Sequence, residues 1–169
     1  MVEDVVKELG YLALGTRLKR LGERLQAQTQ VLLEHAAVDL PASHFPVLAA
    51  VERLGDLSVG ELTAAVGMSQ PGVTRMLDRL EAEGLVRSTQ LADDRRVRTI
   101  ALTKSGRQLI SRAKRTAWPM VEGAVADACA GPAQQLLALL GALEEALAAA
   151  PLNIRAERLR SGEGSHAPA

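Results

Sequence analysis

Apolar residues recur at helical spacing along most of this chain, and over one stretch the spacing shortens to that of a strand. From about Val5 to Ala36, Leu14, Leu18, Leu21, Leu25 and Leu32 stand three, four or seven residues apart, with Lys19, Arg20, Glu23 and Arg24 at the outer positions. This predicts one long amphipathic helix. A helix of about thirty residues extends about 45 Å. Both of its ends cannot pack on one small domain, so part of the apolar face needs another chain. Pro41 to Ser43 breaks the pattern. It resumes from Phe45 to Leu54 with Leu48, Val51 and Leu54 as the buried set, and Gly55 closes the helix.

From Ser58 to Thr103 the order is helix, turn, helix, and then two strands joined by a charged loop. Leu57 to Val59 predicts a short strand or extended link, and Ser58 can cap a helix from Val59 to Val66. Gly67 can take the left-handed conformation that ends a helix, and Ser69 can accept the free amides that open the next one. In that next helix Val73, Met76, Leu77 and Leu80 fall at i, i+3, i+4 and i+7 and face a core. With about 100° of rotation per residue, Pro71, Arg75 and Asp78 point away from it, flanked by Gln70, Gly72, Thr74 and Arg79. Pro71 is tolerated because a first-turn amide has no intrahelical partner to lose, and Gly72 lets a backbone come close. After Gly84 the period changes: Leu85 to Gln90 and Arg98 to Thr103 are rich in Val, Thr and Ile, which predicts a hairpin. Its tip carries Asp93, Asp94, Arg95 and Arg96.

Thr103 caps a further long helix predicted from Lys104 to about Ala128, with Pro119 a candidate kink. A second follows Gly131-Pro132. Its Leu136, Leu137, Leu139, Leu140, Leu143 and Leu147 are too many for a solvated helix and need a partner surface. The tail from Ser161 to Ala169 is small and polar and is expected to be disordered.

Net charge changes the picture through its placement. It is zero over the 169 residues, yet Val86 to Arg115 holds nine cations against two carboxylates, a surplus of seven that the rest of the chain cancels. A basic segment on an acidic body is the footprint of a phosphate-binding face. A helix whose first turns offer Gln70, Thr74 and Arg75 is equipped to enter a DNA major groove. Arginines at a hairpin tip suit a narrow minor groove or a phosphate.

Catalytic and metal chemistry are not indicated. His35, His44 and His166 are scattered, no Cys or His pair has metal spacing, and neither a nucleophile elbow nor a phosphate loop occurs. The single Cys129 cannot form an internal disulfide and reads as a small core residue. No apolar run approaches the roughly twenty residues that span a bilayer, so a cytoplasmic protein without a membrane partner is expected. No cofactor is expected.

The run TRMLDRLEAEGLV at 74–86, DRR at 94–96 and IALTKSG at 100–106 together resemble the winged helix-turn-helix of the MarR family of bacterial transcription regulators. The resemblance implies a mainly α fold with a small β-hairpin wing, in which N- and C-terminal helices form a dimerisation domain. The corresponding division is 1–40 for the N-terminal dimerisation helix, 41–103 for the DNA-binding domain, 104–150 for the C-terminal dimerisation helices and 151–169 for the tail. The implied partners are a double-stranded DNA operator, pseudo-palindromic to match a homodimer, and a small aromatic or amphipathic effector that releases it. Gln70, Pro71, Thr74 and Arg75 are the expected base readers. Ser69, Arg79, Arg87, Arg98 and Lys104 are expected on the backbone, with Asp94 bracing the wing while Arg95 or Arg96 reaches DNA. Tyr11, His44, Phe45 and Trp118 border the implied effector cleft. Two other classes fit the same residues: a winged-helix module that binds protein, and an effector-independent DNA binder.

Overall fold

The computed structural model describes residues 2–90, 98–129, 131 and 133–162. The chain divides into two compact units, Met1–Val121 and Glu122–Ala169. Within the first, a short helix α1 (Val5–Glu8) and a 3-10 turn (Gly10–Ala13) precede α2 (Leu14–His35). The single long helix expected here is therefore broken. Gly10 takes φ of 53°, a left-handed value that interrupts the helical ladder and that glycine adopts without a Cβ penalty. Asp4 accepts two hydrogen bonds from the Arg20 guanidinium, each 3.0 Å, which tie the N-terminal segment to α2. This pairing holds the Asp4 carboxyl below its ordinary pKa.

Next come α3 (Phe45–Leu54), the strand β1 (Leu57–Ser58), α4 (Val59–Val66), α5 (Gln70–Ala82), β2 (Val86–Gln90), β3 (Arg98–Leu102) and α6 (Lys104–Arg115). The strands form an antiparallel sheet in the order β1-β3-β2. Val86 lies opposite Leu102 and Gln90 opposite Arg98, so the hairpin strands pair without offset. Leu48, Val51, Leu62, Val73, Leu77, Leu80, Ile100 and Ile110 are buried in one core between the helices and this sheet. Of the set expected from α3, Leu54 is exposed. It sits on the last turn, where the chain leaves the core through Gly55, and Val47 is buried in the core alongside Leu48 and Val51.

Thr103 caps α6 as expected, its hydroxyl accepting from Gly106 N at 3.0 Å. It also donates toward the Gly84 and Leu85 carbonyls at 2.6 and 3.1 Å. Only glycine fits at position 106, because a Cβ there would lie 2.1 Å from the Leu85 carbonyl oxygen. The helix predicted to run on to Ala128 stops at Arg115, and α7 (Ala117–Ala128) restarts beyond Thr116. Pro119 explains the break. It cannot donate to the Arg115 carbonyl, and its ring opposes the preceding turn, so it is accommodated in the first turn of a new helix.

The second unit contains α8 (Ala133–Ala149) and α9 (Leu152–Ser161). Helix α9 lies where only a tail was expected. Arg155 explains part of its order, since its side chain donates to the carbonyl of Ala150 at 2.8 Å and to that of Ala146. Carbonyls past the end of a helix lack intrahelical donors; this arginine supplies one to Ala150 and adds a second to Ala146, whose carbonyl already accepts from Ala150 N at 3.1 Å. Most of the expected disordered tail lies outside the described residues.

Candidate nucleic-acid interface

The corner between α4 and α5 is built by local chemistry. At its start, Ser58 Oγ accepts from Glu61 N at 3.2 Å while the Glu61 carboxylate accepts from Ser58 N at 2.8 Å. This is a reciprocal capping box. The Ser58 hydroxyl and amide hydrogen bonds hold the Glu61 carboxyl below its ordinary pKa. At its end Gly67 adopts φ of 64°, closing α4 in the left-handed conformation. Ser69 then takes the N-cap position of α5 in an extended conformation, yet its side chain makes no capping bond. Pro71 sits at the second helical position and removes one of the two amides a cap can serve, leaving that of Gly72, which the Ser69 side chain does not engage. The Ser69 hydroxyl is left facing the Gly72 Cα side, 3.1 Å from where a Cβ would stand.

Helix α5 has two distinct sides. Val73, Leu77 and Leu80 are completely buried, whereas Gln70, Pro71, Arg75, Asp78 and Arg79 are exposed and Thr74 is half-buried. Thr74 donates its hydroxyl to the Gln70 carbonyl at 3.0 Å, so its lone pairs and methyl are what it can still offer outward. Arg79 is paired with Glu83 at 2.9 Å along the helix. Arg75 therefore stands at the centre of the outer face, near the N-terminal end of a helix whose dipole is positive there.

Arg87 on β2 and Lys104 at the start of α6 are exposed. Two other cations of the basic segment are engaged by carboxylates from outside it. Arg98 Nη2 donates to Glu81, and its Nη1 lies 3.9 Å from Asp78. Lys114 Nζ reaches both Glu52 carboxylate oxygens, at 2.6 and 2.7 Å, and lies 5.7 Å from the centre of the Trp118 ring. Arg98 was expected to touch phosphate; the structure gives it two internal acidic partners. Asp94, Arg95 and Arg96 lie outside the described residues.

Of the four residues expected around an effector, three belong to the winged body. His44 and Phe45 are buried, and Phe45 meets Trp118 edge to face with ring centres 6.3 Å apart. Tyr11 is 95% exposed on the turn before α2. Ser43 Oγ lies 3.3 Å from His44 Nδ1, and His44 Nε2 is buried with no hydrogen-bond partner among the described residues. Burial lowers the His44 pKa, the Arg79 guanidinium lowers it further, and Glu83 opposes them.

A capped helix, a left-handed glycine turn, a second helix with a free outer face, and an antiparallel hairpin packed on the same core define a winged helix-turn-helix. The model of the MarR family matches residues 38–97 of this domain. Three solved structures are similar. A transcriptional repressor, CouR, bound to a 23-mer DNA duplex is 28% identical over 80% of this chain and 96% of its own, with a TM-score of 0.66. The M. tuberculosis transcriptional regulator MOSR in complex with DNA is 26% identical over 81% of this chain and 97% of its own, with a TM-score of 0.70. A mutant MarR from E. coli with operator DNA shares the fold at 22% identity, covering 86% of this chain and 99% of its own with a TM-score of 0.64. The family and these proteins are transcription regulators rather than enzymes. Among the described residues no single helix is long and apolar enough to cross a membrane.

Proposed function

We propose that this chain is a sequence-specific DNA-binding transcription regulator that acts as a homodimer on a pseudo-palindromic operator, as a repressor released by a small organic effector. The observation that carries the reading is the division of α5 into a sealed inner face and an outer face centred on Arg75. An arginine there can bond a guanine edge with both ends of its fork, while Gln70 and Thr74 contact neighbouring bases and Pro71 packs against them. Ser69, Arg79, Arg87 and Lys104 set the register on phosphates, and Arg95 or Arg96 enters the minor groove, braced by Asp94.

Dimerisation is supported by the apolar side chains that α2 and α8 leave exposed, including Leu21, Leu25, Leu137 and Leu139. Two corners related by a two-fold axis fit a repeated half-site. Effector control is supported by the buried, unbonded Nε2 of His44 next to Phe45, which packs on Trp118; Tyr11 joins them only if a second chain or the ligand brings it there.

Selection of bound fragments from genomic DNA tests the reading, repeated with small aromatic acids present. A single enriched inverted repeat is expected, lost on adding the effector. On that site Arg75→Ala weakens binding by about 1–3 kcal/mol and relaxes preference at one position of each half-site. Unchanged preference removes Arg75 from base reading, and no enrichment at low salt overturns the function.

A further inference from the structure

Arg98 is the first described residue of β3 and stands opposite Gln90, the last of β2, at the mouth of the hairpin. Its side chain does not extend along the strand into solvent. It crosses to α5, where Nη2 donates to Glu81 and Nη1 approaches Asp78 at 3.9 Å. Residues three apart on a helix lie on one face, so the two carboxylates form a single acidic seat. A planar guanidinium fork can span both, which the point charge of a lysine cannot. The main contact is partly sheltered, the Arg98 side chain being 33% and that of Glu81 26% exposed.

We infer that Arg98 is a positioning residue that locks the wing to the recognition helix through Glu81 and Asp78, and is not a phosphate contact. The inference rests on the DNA-binding reading above. Helix α5 and the wing must enter neighbouring grooves at one fixed angle, and every degree of freedom between them that is frozen only on binding weakens affinity. A cross-link seated where the hairpin leaves the body removes that freedom beforehand. It also sets a cation beside Asp78, a carboxylate on the exposed side of α5 that would otherwise repel the duplex.

The two roles for Arg98 predict opposite outcomes. If it is a lock, Arg98→Ala and Glu81→Gln each lower operator affinity about three- to tenfold, the double variant is no worse than either single one, and the slope of log K against log salt is unchanged. Arg98→Lys restores only part of the loss. If Arg98 is a phosphate contact, Glu81→Gln frees it and preserves or raises affinity, Arg98→Ala reduces the slope by about one, and Arg98→Lys restores binding; any of these results overturns the lock. Hydrogen exchange in the free protein separates this from the wider reading. Should the unaltered protein bind no duplex, the proposed function fails, and the lock is then judged on the amides of Gln90 and Thr99. Faster exchange in Glu81→Gln upholds it, and unchanged exchange refutes it.

Discussion

On α5, Leu77 and Leu80 are wholly buried; on α2, Leu18, Leu21 and Leu25 expose 38–44% of their surface, and on α8 Leu137 and Leu139 expose more than two thirds. The two regions are alike in leucine spacing and opposite in what covers those leucines. Periodicity reports that a helix has an apolar face, but not whether that face is satisfied within its own chain. The winged body closes a core from α3 to α6, completed by Leu33 at the end of α2, by Val38 and Leu40 just after it, and by Ala117 of α7. The flanking helices hold their leucines in reserve, which is the pattern expected of surfaces that meet a second copy.

Leu77→Ala gives the largest expected effect, a loss of about 4 kcal/mol in urea unfolding, because it opens a cavity in a sealed core. A loss under about 1 kcal/mol would mean that the core is looser than its burial implies. The converse variant, Leu21→Ser with Leu25→Ser on α2, leaves the winged body folded and weakens self-association about a hundredfold, since each leucine is lost from both copies. Sedimentation over a concentration series reads this directly; identical profiles with and without the substitutions would erase the contrast between the two regions.

Smaller changes sharpen it. Ser58→Ala removes one side of the capping box and lowers stability by about 1 kcal/mol, observable as a shift in the urea midpoint. The smallest effect is that of pH. Folding depresses the His44 pKa, so the unfolded chain takes up the proton first as pH falls below the ordinary histidine value of about 6.5. Stability is thus full above that value and declines as pH falls toward the folded pKa. His44→Gln flattens this slope, and an unaltered slope would assign the pH dependence to other groups.

Much of the winged body is legible in the sequence because its signals are local. Gly67 between two amphipathic runs, Ser58 three residues before Glu61, and the change of period at Gly84 each specify their element within a few residues. The capping-box glutamate follows from the same spacing rule, although attention to Ser58 alone overlooks it. The failures are of two kinds. Breaks at Gly10 and near Thr116 were hidden by apolar spacing that continues across them; Pro119 marked a kink but not its position. The Arg98 partners were illegible for a different reason. Asp78 and Glu81 come within reach only once α5 and β3 pack together, and a list of charges along the chain counts the same arginine as free. A surplus of seven cations therefore overstates what the folded surface offers, since Glu52, Asp78 and Glu81 are drawn into the segment's own cations.

The junction of Thr103 and Gly106 with the Gly84–Leu85 backbone has a mechanical consequence. The side chain of Thr103 grips both carbonyls just beyond α5, and the bare Cα of Gly106 lets the first turn of α6 press against the second of them. The start of α6 is thereby pinned to the backbone that leaves α5. A displacement of α6 is passed first to the Gly84–Leu85 turn, where the recognition helix ends and the hairpin begins, so the two ends of that turn cannot be moved independently of α6.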